Sequence, residues 1–209
     1  MKRIDCIRVL GEMAKDVLVV TTAGGATHEW WALGDNRGQL PARTLGLCSS
    51  IGLGLAIALP HRRVLVLDGD GGLLMNLNTL VTTAVHKPAN LIHICFDNGV
   101  YESSGGTPTF TGAGVNLAAI ATAAGIAATY DVSTPQAFAA AVTETLDQRR
   151  HTFILVRVEP GLGDVPPIPI DEVENKYRFA HYIESLEGRK ILAGPTSPIA
   201  KAAGPGNAR

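Results

Sequence analysis

Val64-Leu65-Val66-Leu67-Asp68-Gly69-Asp70-Gly71-Gly72 is the stretch that decides how the chain is read. Val64–Asp68 is apolar without polar alternation, the pattern of a strand buried on both faces, as in a parallel sheet. Glycines then turn the chain, and Gly72–Val85 has helical character, with Pro88 just beyond its end. A strand, a glycine turn and a helix in that order place backbone N–H groups at the helix start, where a phosphate is bound well. Asp70 sets a carboxylate in the same spot. A carboxylate beside a phosphate repels it unless a hard cation stands between them, and Mg²⁺ prefers oxygen ligands of this kind.

The same alternation extends outward. Residues 4–15 have the apolar spacing of an amphipathic helix. Val17–Thr21 reads as a strand, and the Gly- and Thr-rich Thr22–Thr27 as a loop. Ser49–Leu59 reads as a buried helix ended by Pro60, and Leu91–Phe96 as another buried strand. Leu117–Ala124 is a short helix closed by Gly125, and Thr129–Val132 a strand. Pro135–Gln148 is a helix capped by Thr134, and Phe153–Glu159 the last strand. Together these predict an α/β fold: a doubly wound, mainly parallel sheet with helices on both faces. Ligands bind such sheets beyond the C-terminal strand ends. The loops after Thr21, Asp68 and Phe96 are therefore the places to look.

After Phe96 come Asp97-Asn98-Gly99-Val100-Tyr101. If the two strands are neighbours, their ends lie about 5 Å apart. The amide oxygen of Asn98 and the carbonyl of Val100 would then join Asp70 as metal ligands, with two diphosphate oxygens and a water.

Twenty-five residues, Gly72–Phe96, separate Gly71 from Asp97-Asn98. Gly-Asp-Gly, that interval and Asn-Asn form the signature of thiamin-diphosphate enzymes, with Asp97 here in place of the first Asn. Thr44-Leu45-Gly46 resembles the family's Thr-Met-Gly segment, and Leu45 stands 25 residues before Asp70. Several stretches resemble the β subunits of sulfopyruvate and phosphonopyruvate decarboxylases: Gly46–Ala56, Val66–Gly71, Thr107-Pro108-Thr109, Val165–Ile170 and Glu172–Phe179.

The resemblance implies a thiamin-diphosphate-binding fold and a site for that cofactor with Mg²⁺. Leu45 would be the pivot that bends the cofactor, with the Arg43 carbonyl facing its aminopyrimidine and Thr44 and Gly46 flanking. Gly69, Asp70, Gly71, Gly72, Asn98, Val100 and Tyr101 would contact the diphosphate or its metal. Gly25, Ala26 and Thr27 would add donors from the first loop, while His28 is read either as a surface-loop histidine or as reaching the phosphate or the substrate's acidic group. Glu102, Ser103 and Ser104 follow the metal loop and are further candidates to line it.

The activity implied is decarboxylation of a small 2-oxo acid, with the cofactor carrying the chemistry. Family members also need a pyrimidine domain whose glutamate protonates the cofactor. That glutamate is expected from a separate α subunit, in a hetero-oligomer, with a homodimer expected for this chain alone. Two alternatives stand beside this reading. One is a non-catalytic, cofactor-binding or regulatory subunit. The other rests on Asp68-Gly69-Asp70-Gly71, which also resembles the strand end of haloacid-dehalogenase-type phosphatases, with Asp68 as nucleophile.

Composition bounds the rest. The chain has 209 residues, 46% hydrophobic and 18% charged, with a net charge of −1. That is enough for one core and gives no broad attraction to nucleic acid or acidic lipid. No membrane-spanning run or signal peptide is read, since Asp5, Arg8, Glu12 and Lys15 break the first segment. Cys6, Cys48 and Cys95 form no C-x-x-C pair, which fits a reducing, cytoplasmic setting. Histidines 61, 86, 93, 151 and 181 show no ligand spacing. The cofactor domain is expected over residues 1–180. An extension over 181–209, largely a disordered tail, follows from the Gly, Ala and Pro composition.

Overall fold

A computed structural model describes residues 1–34 and 36–192. It divides into two units, Met1–Pro169 and a second that begins at Ile170. Helix and strand alternate through the first. The elements are α1 (Arg3–Met13), β1 (Val17–Thr21), α2 (Gly25–Trp31), β2 (Gln39–Pro41), α3 (Cys48–Ala58), β3 (Arg63–Gly69), α4 (Asp70–Leu74) and α5 (Asn78–His86). There follow β4 (Leu91–Asp97), β5 (Val100–Tyr101), β6 (Thr107–Pro108), α6 (Leu117–Ala123), β7 (Ala128–Val132), α7 (Pro135–Asp147) and β8 (Thr152–Arg157).

Six strands form one sheet in the order β2-β1-β3-β4-β8-β7. Every pairing in it is parallel, and β5 and β6 form a separate antiparallel hairpin. Side chains alternate along each strand, so the sheet feeds two cores. On one face Leu65, Leu67, Ile92, Ile94 and Ile154 pack with α1, α2 and α7 through Ile7, Leu10, Trp30 and Phe138. On the other, Cys95, Phe153 and Leu155 pack with α4, α5 and α6 through Leu73, Leu80 and Leu117. Each fully buried Leu, Ile or Phe contributes about 1.5–3 kcal/mol. Helix α3 lies very close to β3 on this second face: a Cβ on Gly52 would stand 2.0 Å from Val66 Cγ2.

The expected α/β class, the parallel sheet and the placement of helices on both faces hold. Three local readings change. Gly72–Val85 is two helices rather than one, because Asn76 in the break donates its side-chain amide to Gly46 O at 2.6 Å and Ser50 Oγ at 2.9 Å. The side chain ties the break to the start of α3, while the backbone crosses it by tight turns, the Asn76 N–H donating to Leu73 O and the Thr79 N–H to Asn76 O. The loop read at Thr22–Thr27 becomes helical from Gly25, where Ala26 and Trp30 bury one face. Strand β2 and the β5–β6 hairpin were not read at all. They are two or three residues long and both contain proline, which weakens any strand signal.

The caps of the later helices behave as their residues dictate. Thr134 accepts the Ala137 N–H, with Pro135 in the first turn of α7, and Asn116 accepts the Ala119 N–H at the start of α6.

In the second unit α8 (Glu172–Glu187) starts at Asp171, whose carboxylate accepts the Glu174 N–H, and ends at Gly188. Glu184 meets the His181 ring, the Ile191 and Leu192 N–H groups and the Lys190 ammonium, and those contacts, His181 foremost, hold its carboxyl below the usual carboxylate range. The boundary expected at residue 180 falls inside α8. The disordered tail expected toward the end falls on residues 193–209, outside the described residues.

Candidate cofactor and metal site

Strand register builds the site. In the β3–β4 ladder Gly69 is opposite Phe96. Asp70 and the Asp97-Asn98 pair therefore leave adjacent strand ends side by side. They open into a cleft lined by β1-, β3- and β4-end residues, among them Thr22, Gly25, Asp70, Gly72, Asn98 and Val100.

The Asp70 carboxylate is buried at 2% exposure, and the chain supplies it with few protons. Thr109 Oγ1 stands 2.6 Å and Thr111 Oγ1 2.9 Å from the same oxygen, Oδ2. The two hydroxyls are 2.8 Å from each other, and Thr111 Oγ1 is also 2.7 Å from Asp97 Oδ1. A hydroxyl carries one proton and an ionised carboxylate none. Two protons thus serve four close oxygen–oxygen contacts. Burial, the largest influence, pushes the Asp70 carboxyl above its ordinary value, and the two threonine hydroxyls, with the Gly71 N–H, only partly counter it and the nearby Asp97 charge. Asp97 is better supplied. Arg157 Nη1 stands 2.6 Å from its Oδ2, and the Gly99 N–H donates to its Oδ1. Arg157 also grips Asp131 through two bonds of 3.0 Å.

This donor set fits Mg²⁺. Among the described residues no group of three or more His, Cys, Asp or Glu side chains is gathered to hold a metal. One buried carboxylate beside the Asn98 amide and the Val100 backbone suits the ion that is usually held by one or two carboxylates plus phosphate oxygens. A diphosphate also fits. Thr22 Oγ1 is buried in the cleft wall with no hydrogen-bond partner among the described residues, and such an orphan costs about 1–3 kcal/mol until something meets it. The backbone there has room because of glycine. A Cβ on Gly71 would lie 2.4 Å from the Tyr101 ring, and one on Gly72 would lie 3.0 Å from Asp68 Oδ1 and 3.5 Å from Leu45 Cδ2. Helix α4 has only five residues, so its N–H groups matter here more than its dipole.

Of the residues named from sequence, Gly25, Ala26, Leu45, Gly69, Asp70, Gly71, Gly72, Asn98, Val100 and Tyr101 line this one cleft. Thr27 does not. Its hydroxyl donates to the Thr22 carbonyl and touches Thr21 Oγ1, and its N–H is taken by Gly24 O. Arg43 and Thr44 are exposed beside Leu45 and outside the cleft wall. Gly46 is buried against Met75 and Asn76. His28 Nδ1 accepts the Ile168 N–H at 3.2 Å, and burial lowers its pKa first, Arg43 second. That ring braces the 160s loop rather than lining the cleft. Glu102 and Ser103 are in the wall, and Ser104 is not.

The phosphatase reading fails on burial. Asp68 is fully buried at the base of the turn, its Oδ1 accepting the Gly69 N–H and its Oδ2 standing 3.4 Å from His93 Nε2. It meets the cleft only from its floor, with one oxygen committed to the Gly69 N–H and the other turned to His93, an orientation that does not suit an attacking nucleophile.

Other residues at the site take no role from the sequence, although Thr109 falls in the resembling stretch Thr107-Pro108-Thr109. Arg3, from α1, lines the cleft with a bidentate ion pair to Glu29 and a contact of 3.1 Å to Glu102. Glu102 in turn accepts the Gly161 N–H, which clasps the loop after β5 to the chain after β8. Thr109, Thr111 and Arg157 complete the Asp70 and Asp97 surroundings. These contacts span 14 to 60 residues, a range over which no local pattern can operate. The unusual Asp97 was the one available pointer, since a buried carboxylate implies a cation nearby.

Comparison with known proteins places these features. Residues 26–156 match the family described as thiamine pyrophosphate enzyme, C-terminal TPP binding domain. The sulfopyruvate decarboxylase subunit beta of Methanothermobacter thermautotrophicus is 37% identical over 86% of this chain and 94% of its own length. The phosphonopyruvate decarboxylase of Streptomyces viridochromogenes is 35% identical over 82% of this chain and 44% of its own length. The chain thus spans less than half of that relative and nearly all of the methanogen subunit. Among solved structures, the benzoylformate decarboxylase of Polynucleobacter necessarius superposes with a TM-score of 0.66 over 78% of this chain and 34% of that one. At 19% identity that likeness speaks for the fold alone.

Proposed function

Because the chain belongs to the thiamine pyrophosphate enzymes, carrying their C-terminal TPP binding domain, we propose that it is the thiamin-diphosphate- and Mg²⁺-holding β subunit of a 2-oxo-acid decarboxylase of the sulfopyruvate/phosphonopyruvate kind. The observation that carries the reading is the convergence of Asp70, Asn98, Val100, the Gly71-Gly72 backbone and Leu45 in one cleft. Asp70, the Asn98 amide oxygen and the Val100 carbonyl hold the metal. The Gly71 and Gly72 N–H groups and the Thr22 hydroxyl meet diphosphate oxygens. Leu45 is the wedge, and Arg43 and Thr44 beside it face the pyrimidine half. When bound, thiamin diphosphate supplies the electron sink for loss of CO₂ from a 2-oxo acid. This chain binds, bends and neutralises.

Relatives of matching length bear the name subunit beta, which supports a separate α subunit as the source of the activating glutamate. Among the described residues no helix is long and apolar enough to cross a membrane. The three cysteines are free and buried, in keeping with a cytoplasmic setting. The test is to co-express the chain with its candidate α subunit and screen 2-oxo acids for CO₂ release. Turnover is expected only with both chains, thiamin diphosphate and Mg²⁺. Robust decarboxylation by this chain alone would refute the division of labour, and no turnover of any 2-oxo acid by the pair would refute the activity.

A further inference from the structure

Nothing in the metal reading explains why Asp97, a second buried carboxylate, lies within one hydroxyl of Asp70. We propose that Thr111 is a positioning residue for the metal carboxylate: its hydroxyl, set between Asp70 Oδ2 and an Asp97 clamped by Arg157, fixes how Asp70 faces the cleft. The proposal rests on Asp70 being a metal ligand.

A carboxylate's last torsion is soft, so rotamer preference alone leaves its oxygens unaimed. Thr109 and Thr111 both lie within bonding distance of Oδ2, and this pins one oxygen to the loop. The Thr111 proton has two claimants, Asp70 and Asp97. Arg157 at 2.6 Å and the Gly99 N–H already serve Asp97, one on each oxygen. The guanidinium thereby releases the Thr111 proton to Asp70. Arg157 acts at a distance, through Asp97 and Thr111, and its own position is set by the two bonds to Asp131.

The backbone joins the same parts. The Thr109 N–H donates to Gly99 O and the Gly112 N–H to Thr109 O. The loop is so close there that a Cβ on Gly112 would stand 2.9 Å from Gly99 O. The two threonines are thus rigidly tied to the Asn98–Val100 segment that supplies the other ligands, and Thr111 couples the two halves of the metal site.

The experiment uses the full chain. Mg²⁺ is titrated calorimetrically at fixed thiamin diphosphate into wild type, Thr111→Val, Thr111→Ser and Arg157→Gln, and each is melted without metal. Thr83→Val is the control, since that buried hydroxyl bonds only carbonyls within α5, Thr79 O and Leu80 O. Loss of a hydrogen bond to a charged group predicts Mg²⁺ binding weaker by about tenfold in Thr111→Val. Thr111→Ser should stay close to wild type, Arg157→Gln should fall between, and Thr83→Val should lose melting temperature without losing Mg²⁺ affinity.

Wild-type affinity in Thr111→Val would overturn the proposal. So would an equal loss in Thr83→Val at matched stability. If Thr111→Val does not fold, the partly exposed Arg157→Gln decides, and unchanged Mg²⁺ affinity there overturns it. A wild-type chain that binds no Mg²⁺ with thiamin diphosphate would overturn the metal reading itself, a result distinct from all of these.

Discussion

Asp70→Asn should make the metal-free protein more stable and the loaded protein less so. The side chain keeps its shape and loses its charge. In the wild type the Thr111 hydroxyl stands 2.9 Å from Asp70 Oδ2 and 2.7 Å from Asp97 Oδ1. That places the two carboxylate oxygens about 5 Å apart, where unit charges repel by ~3 kcal/mol at an effective dielectric of about 20. Arg157, at 2.6 Å from Asp97, offsets much of this and leaves about 1 kcal/mol. Removing the buried charge recovers that amount, and the asparagine NH₂ adds donors where protons are short. For a chain of this size about 1 kcal/mol corresponds to a rise of roughly 2–4 °C in Tm. Mg²⁺ and thiamin diphosphate at about a hundredfold excess over Kd should then stabilise the wild type by about 2.7 kcal/mol and the variant hardly at all. The assay is thermal denaturation of both chains, with EDTA and with cofactor plus Mg²⁺, and the order of Tm values should invert between the two conditions. A variant that is less stable without metal would refute the proton-deficit account. An equal gain from cofactor and Mg²⁺ in both chains would refute Asp70 as a ligand.

Two further outcomes follow from the same geometry. Leu45→Ala in the assembled enzyme should reduce kcat by roughly 10- to 100-fold while changing cofactor affinity far less, because the wedge sets orientation more than binding; comparing kcat with cofactor Kd checks it, and an equal effect on both would remove Leu45 from the pivot role. His151, 8% exposed, has its pKa lowered to about 4, by burial first and by His93 second. A neutral buried histidine with a depressed pKa contributes stability that is full above its unfolded value and is lost as pH falls from about 6.5 toward about 4, a difference of order 3 kcal/mol. His151→Phe should flatten that acid limb in denaturation curves taken across the window, and an unchanged slope would show that the acid sensitivity lies elsewhere.

The legible part of this protein was local. Val64–Asp68 and Leu91–Phe96 announced buried parallel strands because a strand covered on both faces carries no polar alternation. Asp70 and Asn98 could be placed in one site because strand ends in a parallel sheet gather ligands at one edge, and the register sets Gly69 beside Phe96; Leu45 joined them only through the family resemblance of Thr44-Leu45-Gly46. The Thr134 and Pro135 helix start was equally plain.

Reading residue by residue failed where a side chain's direction decided the matter. Thr27 lies in the right loop, but its hydroxyl turns inward to the Thr22 carbonyl, and it is Thr22 whose hydroxyl is left without a partner in the cleft wall. His28 braces Ile168, and Asn76 breaks a helix that its own neighbours would have continued. Sequence by itself determined the buried strands and the glycine turn that sets Asp70 at a strand end, because those depend on residue type and spacing. Only the tertiary structure decided how Asp70 is held. Thr109, Thr111 and Arg157 reach it or its neighbour Asp97 across 39, 41 and 60 residues of chain, and contacts over such spans exist only once the sheet has brought the ends of β3, β4 and β8 together.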